Sequence, residues 1–235
     1  MITEAIVLAG GLGTRLRDVV PDLPKCLAPV AGKPFLYYVI ASLKKQGIQR
    51  FVFSLGYKSE LVEAFLKESL DENDYVTVVE KEPLGTGGGI ALSLKAVVST
   101  DVLIVNGDTL FLANIASLAV VHESVNAACT IALKPMENFD RYGIVTIGEE
   151  GVITSFHEKR QVAEGLINGG VYLLNVPQFR QLVFATKFSF EKDYLERYVT
   201  EKKFYGCIDN GYFIDIGIPA DFDRAQADLK SIDNA

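Results

Sequence analysis

The 235-residue chain holds only three cysteines and two histidines, and its 23 basic residues are outnumbered by 30 acidic ones. Cys26, Cys129 and Cys207 lie far apart, odd in number and without metal-ligand spacing. They read as reduced, mostly buried thiols, which argues against a disulfide scaffold and a zinc site. His122 and His157 are too few for a histidine-based metal centre. A net charge of −7 leaves no general attraction to nucleic acid polymers or anionic membranes, and neither partner is expected. No apolar run approaches the ~18 residues that span a bilayer. Glu4 and Gly10 interrupt any leader-like apolar stretch at the start, so the expected compartment is the cytoplasm. Repeats, low-complexity tracts and linkers are also missing.

What is present is a soluble globular composition, 49% hydrophobic and 23% charged, able to form a sizeable core. The informative stretch is the first seventeen residues. Glu4 to Leu8 (EAIVL) reads as a short buried strand that runs into Gly10, Gly11 and Gly13 and then Arg15 and Arg17. Glycines let backbone N–H groups close on an anion, and the arginines add charge, the pattern of a nucleotide-phosphate loop. With an acidic chain around it, such a loop must hold phosphate by a local cluster.

Strand–helix alternation is expected over roughly residues 1–125, arguing for parallel α/β layering. Four prolines between 21 and 34 predict a constrained loop. A helix over Phe35–Leu43 stops at Gly47, and a strand follows at Phe51–Leu55. Ser59 is placed as the cap of the next helix, Tyr75–Val79 as a strand, and Leu84–Gly89 (LGTGGG) as a second glycine-rich loop. That loop leads into a helix carrying Ile90, Leu94, Val97 and Val98. Val102–Val105 suits a strand buried on both faces. From about 126 to 235 strands dominate, at 128–133, 143–147, 152–156, 170–174 and 208–214. A hairpin turn is expected at Glu149-Glu150-Gly151. Pro177 opens a short helix, Glu191–Val199 forms another, and a last one starts at Pro219 with Phe222, Ala225, Leu229 and Ile232 on one face. A single domain, with an antiparallel extension on the α/β core, fits this order.

Asp108 follows Asn106-Gly107 just past a buried strand, where open α/β sheets place ligands. Alone it would be an ordinary turn residue. Asp215, in Phe213-Ile214-Asp215-Ile216-Gly217, also lies at a strand end and is four positions too early to cap the Pro219 helix. Two carboxylates brought to one edge could hold Mg²⁺, which completes its octahedron with phosphate and water. Lys25, fixed between prolines, and Arg15 are the candidates for stabilising charge on a transferring phosphoryl group. Either could equally be a solvated cation.

At this point Gly10-Gly11-Leu12-Gly13-Thr14-Arg15-Leu16 with Pro24-Lys25 resembles the signature of the sugar-1-phosphate nucleotidylyltransferases. The resemblance extends through Leu84-Gly85-Thr86-Gly87-Gly88, Asn106-Gly107-Asp108, Glu158-Lys159, Asn168-Gly169-Gly170 and Asp215-Ile216-Gly217, nearly the whole chain. It implies a Rossmann-like, three-layer α/β fold with a mixed, mainly parallel sheet. It also implies reaction of a nucleoside triphosphate with a sugar 1-phosphate to give a sugar nucleotide and pyrophosphate. Residue by residue, Leu8, Ala9, Gly10 and Gly11 would face base and ribose, and Gly13, Thr14 and Arg15 the triphosphate. Gly85 and Thr86 would complete the nucleotide site. Lys25 would meet the reacting α-phosphate and Asp108 and Asp215 the Mg²⁺. Gly143, Glu158 and Asn168 would bind sugar hydroxyls and Lys159 the sugar phosphate. On spacing alone, Glu158 reads as half of a surface Glu-Lys pair.

Relatives commonly read the base five positions before the residue matching Gly85. That position is Glu80, where many uridylyl- and thymidylyltransferases carry Gln. A carboxylate accepts hydrogen bonds only, which suits the paired N1–H and N2 amino donors of guanine and opposes the carbonyls of uracil. GTP is the expected nucleotide, although Glu80 or Glu82 could also be plain solvent-facing charge. No C-terminal β-helix fits in the length. Together with Ser189-Phe190-Glu191-Lys192-Asp193, this makes the chain resemble the short guanylyltransferases that act on D-glycero-α-D-manno-heptose 1-phosphate. Mannose-1-phosphate guanylyltransferase, N-acetylmuramate or hexose 1-phosphate uridylyltransferase and a non-catalytic nucleotide-sugar sensor stand as alternatives. The oligomeric state is not readable; relatives make a homodimer one expectation.

Overall fold

The computed structural model describes residues 1–11, 16, 20–158, 160–201 and 203–233. In chain order the first half runs β1 (Glu4–Leu8), β2 (Pro29–Val30), β3 (Lys33–Pro34), α1 (Phe35–Lys45), β4 (Arg50–Leu55), α2 (Ser59–Ser69), β5 (Tyr75–Val79), α3 (Gly85–Ser93), β6 (Asp101–Asn106), β7 (Thr109–Phe111) and α4 (Ile115–Ser124). The second half continues with β8 (Cys129–Phe139), β9 (Ile144–Ile147), β10 (Ile153–His157), β11 (Val162–Asn175), α5 (Val176–Arg180), a π-helical segment (Phe190–Glu196), β12 (Phe204–Ile208), β13 (Phe213–Asp215) and α6 (Pro219–Asp233).

A nine-stranded mixed sheet spans both halves in the order β10-β9-β11-β6-β1-β4-β5, with β8 joined to β11 and β12 to β8. Its centre is parallel: β1 lies between β4 and β6, and β4 pairs β5. Strand β11 closes this block antiparallel to β6 and then pairs β8 and β9. Side chains alternate between two cores because strand neighbours point to opposite faces. Ala5, Val7, Phe51, Phe53, Leu103 and Val105 pack with α1, α2, α4 and α6. Ile6, Val52, Val102 and Ile104 pack with α3, α5 and the π-helical segment. The result is the expected three-layer α/β architecture.

Several local expectations change. LGTGGG is not a loop: Gly85 begins α3 itself. Its glycines allow close packing, since a Cβ on Gly87 would collide with the Phe188 ring and one on Gly88 would lie 2.6 Å from the Thr186 carbonyl oxygen. Helix α3 ends at Ser93, and Val98 is exposed rather than on its apolar face. Ser59 is the first helical residue of α2, preceded by Lys58 in the left-handed conformation, and no side chain caps this helix. The strand expected over 208–214 is two strands. Asp209 breaks it, its Oδ1 accepting the Gly211 N–H at 2.6 Å and its Oδ2 the Asn114 N–H at 2.9 Å. Strands β8 and β11 are longer than expected because they pair with each other almost throughout. The Gly47 stop and the 149–151 hairpin turn are present.

Candidate active site

The parallel strands β1, β4 and β6 end together at Leu8, Leu55 and Asn106, and the first cavity opens above those ends. The Ala9 N–H donates to the Ser54 carbonyl at 2.9 Å and the Gly107 N–H to the Leu8 carbonyl at 2.8 Å, which pins the start of the glycine loop between neighbouring strands. A Cβ on Gly56 would lie 2.9 Å from the Gly10 carbonyl oxygen and one on Gly10 3.1 Å from the Gly56 nitrogen, so glycines let these two turns pack closely beside the cavity. The cavity holds about 640 Å³, and its lining includes Leu8, Gly10, Gly11, Glu80, Gly85 and Asp108. Gly13, Thr14 and Arg15 lie outside the described residues. So does Lys159.

Glu80 follows the edge strand β5, and its backbone N–H donates to the Leu55 carbonyl at 2.9 Å. One carboxylate oxygen accepts the Leu84 N–H at 3.1 Å, and the side chain crosses Gly56 so closely that a Cβ there would be 2.7 Å from Oε1. The carboxylate is therefore held in the cavity wall. Thr86 also lines the cavity, but its hydroxyl is engaged: it donates to Glu191 Oε2 at 2.7 Å and accepts the Phe190 N–H at 2.9 Å. The Gly87 and Gly88 N–H groups point to the Phe188 carbonyl, at 3.1 and 3.4 Å. This helix start is closed by protein.

Lys25 and Asp215 converge on Asp108, which lines this cavity. Lys25 sits in a single 3₁₀ turn after Pro24, which sets the turn's entry. Asp108 lies between β6 and β7. Asp215 does not come from the central sheet; it ends β13, which pairs antiparallel with β7 so that Asp215 sits opposite Thr109. The Lys25 ammonium donates to Asp108 Oδ2 at 2.7 Å and to Asp215 Oδ1 at 2.9 Å, with only 10% of its side chain exposed. Asp215 Oδ1 also accepts the Gly217 N–H at 2.8 Å. Next to it, Arg141 pairs with Asp221. The Tyr142 phenol is pushed up to about 12, first by burial and then by the Asp215 charge. The neighbouring Cys26 thiol is likewise raised to about 12, by burial first, and is unreactive at neutral pH.

The two carboxylates suit a divalent cation. They are hard oxygen donors, Asp108 is open to the cavity at 38% side-chain exposure, and Lys25 leaves one oxygen of each outside its bridge. No group of three or more His, Cys, Asp or Glu side chains gathers among the described residues. A cation here would thus take most of its shell from phosphate oxygens and water, which is how Mg²⁺ is usually held.

A second cavity of about 300 Å³ lies between β9–β10 and the π-helical segment, and Tyr142, Gly143, Glu158, Asn168, Glu191 and Lys192 contribute to its lining. Asn168 stands at a register shift in β11, where the strand leaves β6 and turns toward β9. Such irregularities re-aim side chains next to active sites. Asn-Gly-Gly is required there: Gly170 has φ +72°, and a Cβ on it would lie 2.6 Å from Asn106 Nδ2. The Asn168 amide is oriented by donating to the Tyr172 hydroxyl at 2.9 Å and accepting the Gly170 N–H at 3.0 Å. The three expected sugar-binding residues that are described are thus brought together. Glu191 and Lys192, which had no role assigned from sequence, join them. Their signal was the stretch Ser189–Asp193, in which Ser189 caps the π-helical segment by accepting the Lys192 N–H at 3.2 Å.

Fold and site together define a nucleotidyltransferase, and the chain belongs to the nucleotidyl transferase family, whose pattern it matches over residues 4–232. Within that family it is 47% identical to the D-glycero-alpha-D-manno-heptose 1-phosphate guanylyltransferase of Aneurinibacillus thermoaerophilus, over 97% of this chain and 98% of the relative. It is 41% identical to the enzyme of that name from Campylobacter jejuni, over 93% and 96% respectively. The fold matches a crystal structure of HddC from Yersinia pseudotuberculosis complexed with GMP-PN, with a TM-score of 0.84 and 33% identity, over 97% of this chain and 100% of that one.

Proposed function

We propose that the protein transfers a guanylyl group from GTP to D-glycero-α-D-manno-heptose 1-phosphate, forming GDP-heptose and pyrophosphate. The observation that carries this reading is the Lys25 ammonium bridging Asp215 to Asp108, which lines a glycine-rich cavity. A second cavity with acidic and amide groups lies beside it. Near-full-length similarity to two heptose 1-phosphate guanylyltransferases supports the choice of sugar. The backbone of Leu8–Gly11 binds base and ribose, and Glu80 accepts the two guanine donors. Gly13, Thr14 and Arg15 follow the triphosphate, Gly85 and Thr86 close the far wall, and Lys159 meets the sugar phosphate. Glu158, Asn168 and the Gly143 backbone take sugar hydroxyls.

The acceptor phosphate is already anionic at neutral pH, so no covalent enzyme intermediate and no general base are needed. An oxygen of the sugar phosphate forms the new bond to the α-phosphorus as the bond to pyrophosphate breaks in line. The protein aligns the two substrates and neutralises charge. Lys25 supplies a fixed positive charge where the α-phosphate reacts. Asp108 and Asp215 would hold Mg²⁺, which when bound neutralises phosphate charge as a Lewis acid. The intact charged trio favours an enzyme over a non-catalytic sensor. We place the protein in the cytoplasm. The uncharged edge strand β5, with Val76 and Val79 exposed, supports a homodimer, which light scattering would test.

The decisive experiment pairs GTP, UTP, dTTP and CTP with heptose, mannose, glucose and muramate 1-phosphates and follows pyrophosphate release. GTP with the heptose is expected to give the highest kcat/KM. A preference for UTP or dTTP would overturn the guanine assignment, faster turnover of mannose 1-phosphate would replace the sugar, and GTP binding without any turnover would mark a sensor.

A further inference from the structure

Glu191 is the one side chain among the described residues that lines both cavities. It lies in the first turn of the π-helical segment and is half-buried. Its Oε2 accepts two hydrogen bonds, from the Thr86 hydroxyl at 2.7 Å on the nucleotide side and from the Ser189 hydroxyl at 2.9 Å on its own turn. Thr86 is in turn held by the Phe190 N–H, and the Ser189 N–H donates to Asp193 at 2.7 Å. The carboxylate is therefore oriented before any substrate arrives, while Oε1 has no hydrogen-bond partner among the described residues.

A pre-oriented carboxylate with one open oxygen needs a donor to face. It is acceptor-only and repels phosphate, so its partner is a hydroxyl. Oε2 is taken by Thr86 and Ser189, so Oε1 is the oxygen still able to accept from a molecule in the second cavity, which Glu191 lines. We propose that Glu191 is a specificity-determining residue that accepts a hydroxyl of the acceptor sugar and, through Thr86, ties the filled sugar cavity to the start of α3. This deepens the proposed function and rests on it. Glu158 and Glu191 then present two carboxylates to a polyhydroxylated ring from different elements.

The test uses the full chain with GTP, heptose 1-phosphate and a panel of its monodeoxy analogues. Glu191→Ala is expected to raise KM for the sugar phosphate about 10- to 100-fold, the range for a lost hydrogen bond to a charged group. KM for GTP should move less than about 3-fold on the same scale. Glu191→Gln, which keeps an acceptor oxygen, should recover part of the loss. One deoxy analogue should be poor for the wild type yet no worse than the parent sugar for Glu191→Ala. A merely structural residue would lower the melting temperature and shift both KM values together, and that outcome, or the absence of any cancelling analogue, overturns the assignment. If the wild type neither binds nor turns over any sugar phosphate, the proposed function fails and takes this inference with it. Active wild type with unaltered variants removes Glu191 alone.

Discussion

The two cavities are built from different materials. The first cavity is made where parallel strands end, and Gly10, Gly11, Gly56, Gly85 and Gly89 contribute to its lining beside the anchored acid Glu80. The second cavity is made by antiparallel strands and a π-helical turn, and most of its polar groups are side chains, Glu158, Asn168, Glu191 and Lys192 among them. Backbone recognition follows the shape and charge of a nucleotide and tolerates little change in chain direction. Side-chain recognition can be altered one residue at a time. On the function proposed above, the nucleotidyl transfer would belong to the first cavity and Lys25, Asp108 and Asp215, and the choice of acceptor to the second.

The largest expected effect comes from the charged cluster of Lys25, Asp108 and Asp215 beside the first cavity. Asp108→Asn should lower kcat roughly 100- to 1000-fold, the scale for removing one electrostatic stabiliser of a transition state. Circular dichroism should be unchanged. Near-normal turnover would take Asp108 out of the reaction.

Next comes the anchored acid of the first cavity. Glu80→Gln should reduce the ratio of GTP to UTP efficiency roughly 10- to 100-fold, because one charged acceptor facing two donors is lost. An unchanged ratio would mean that backbone alone reads the base.

A smaller effect is expected where the two sides touch. Gly87→Ala puts a methyl group into the Phe188 ring and should cost about 1–3 kcal/mol in a denaturant titration. A variant as stable as the parent would show that the α3 contact is loose.

The smallest effect concerns the scaffold shared by both. His122 is buried at 2% exposure, bonded to Thr130 at 2.8 Å and to Asp101 at 3.3 Å, and its pKa is lowered by burial, with Asp101 opposing. A histidine held neutral in the fold stabilises it fully above its unfolded value of 6.5, and that contribution is lost as pH falls through its lower folded value. Melting temperature should thus fall on acidification from 6.5 through that lower folded value, less steeply in His122→Gln. Equal slopes for the two proteins would count against the assignment.

Contiguous motifs were readable because each is a demand that a few neighbouring residues make on their own backbone. Asn-Gly-Asp at the end of β6 and Asn-Gly-Gly at the β11 register shift are of this kind. So are the alternating strands buried on both faces, and hence the α/β class. The stretch LGTGGG was misread as a loop for the opposite reason. What its glycines avoid is Phe188, about a hundred residues away, and nothing local records that approach. The break at Asp209 was hidden in the same way, since half of its hydrogen bonding goes to Asn114.

By itself, then, the sequence determined the chemistry on offer: a glycine-rich stretch with arginines, a lysine fixed between prolines, two carboxylates at strand ends and an acid, Glu80, five positions before Gly85. Tertiary structure alone decided which of these meet. Lys25 reaches Asp108 across 83 residues and Asp215 across 190, the latter through a two-stranded ladder outside the main sheet. Glu191 acquires two neighbouring cavities only when the π-helical segment packs on α3. Residue type fixes what a group can donate, accept or neutralise, but distance in space is set by packing, and at these separations no local pattern encodes it.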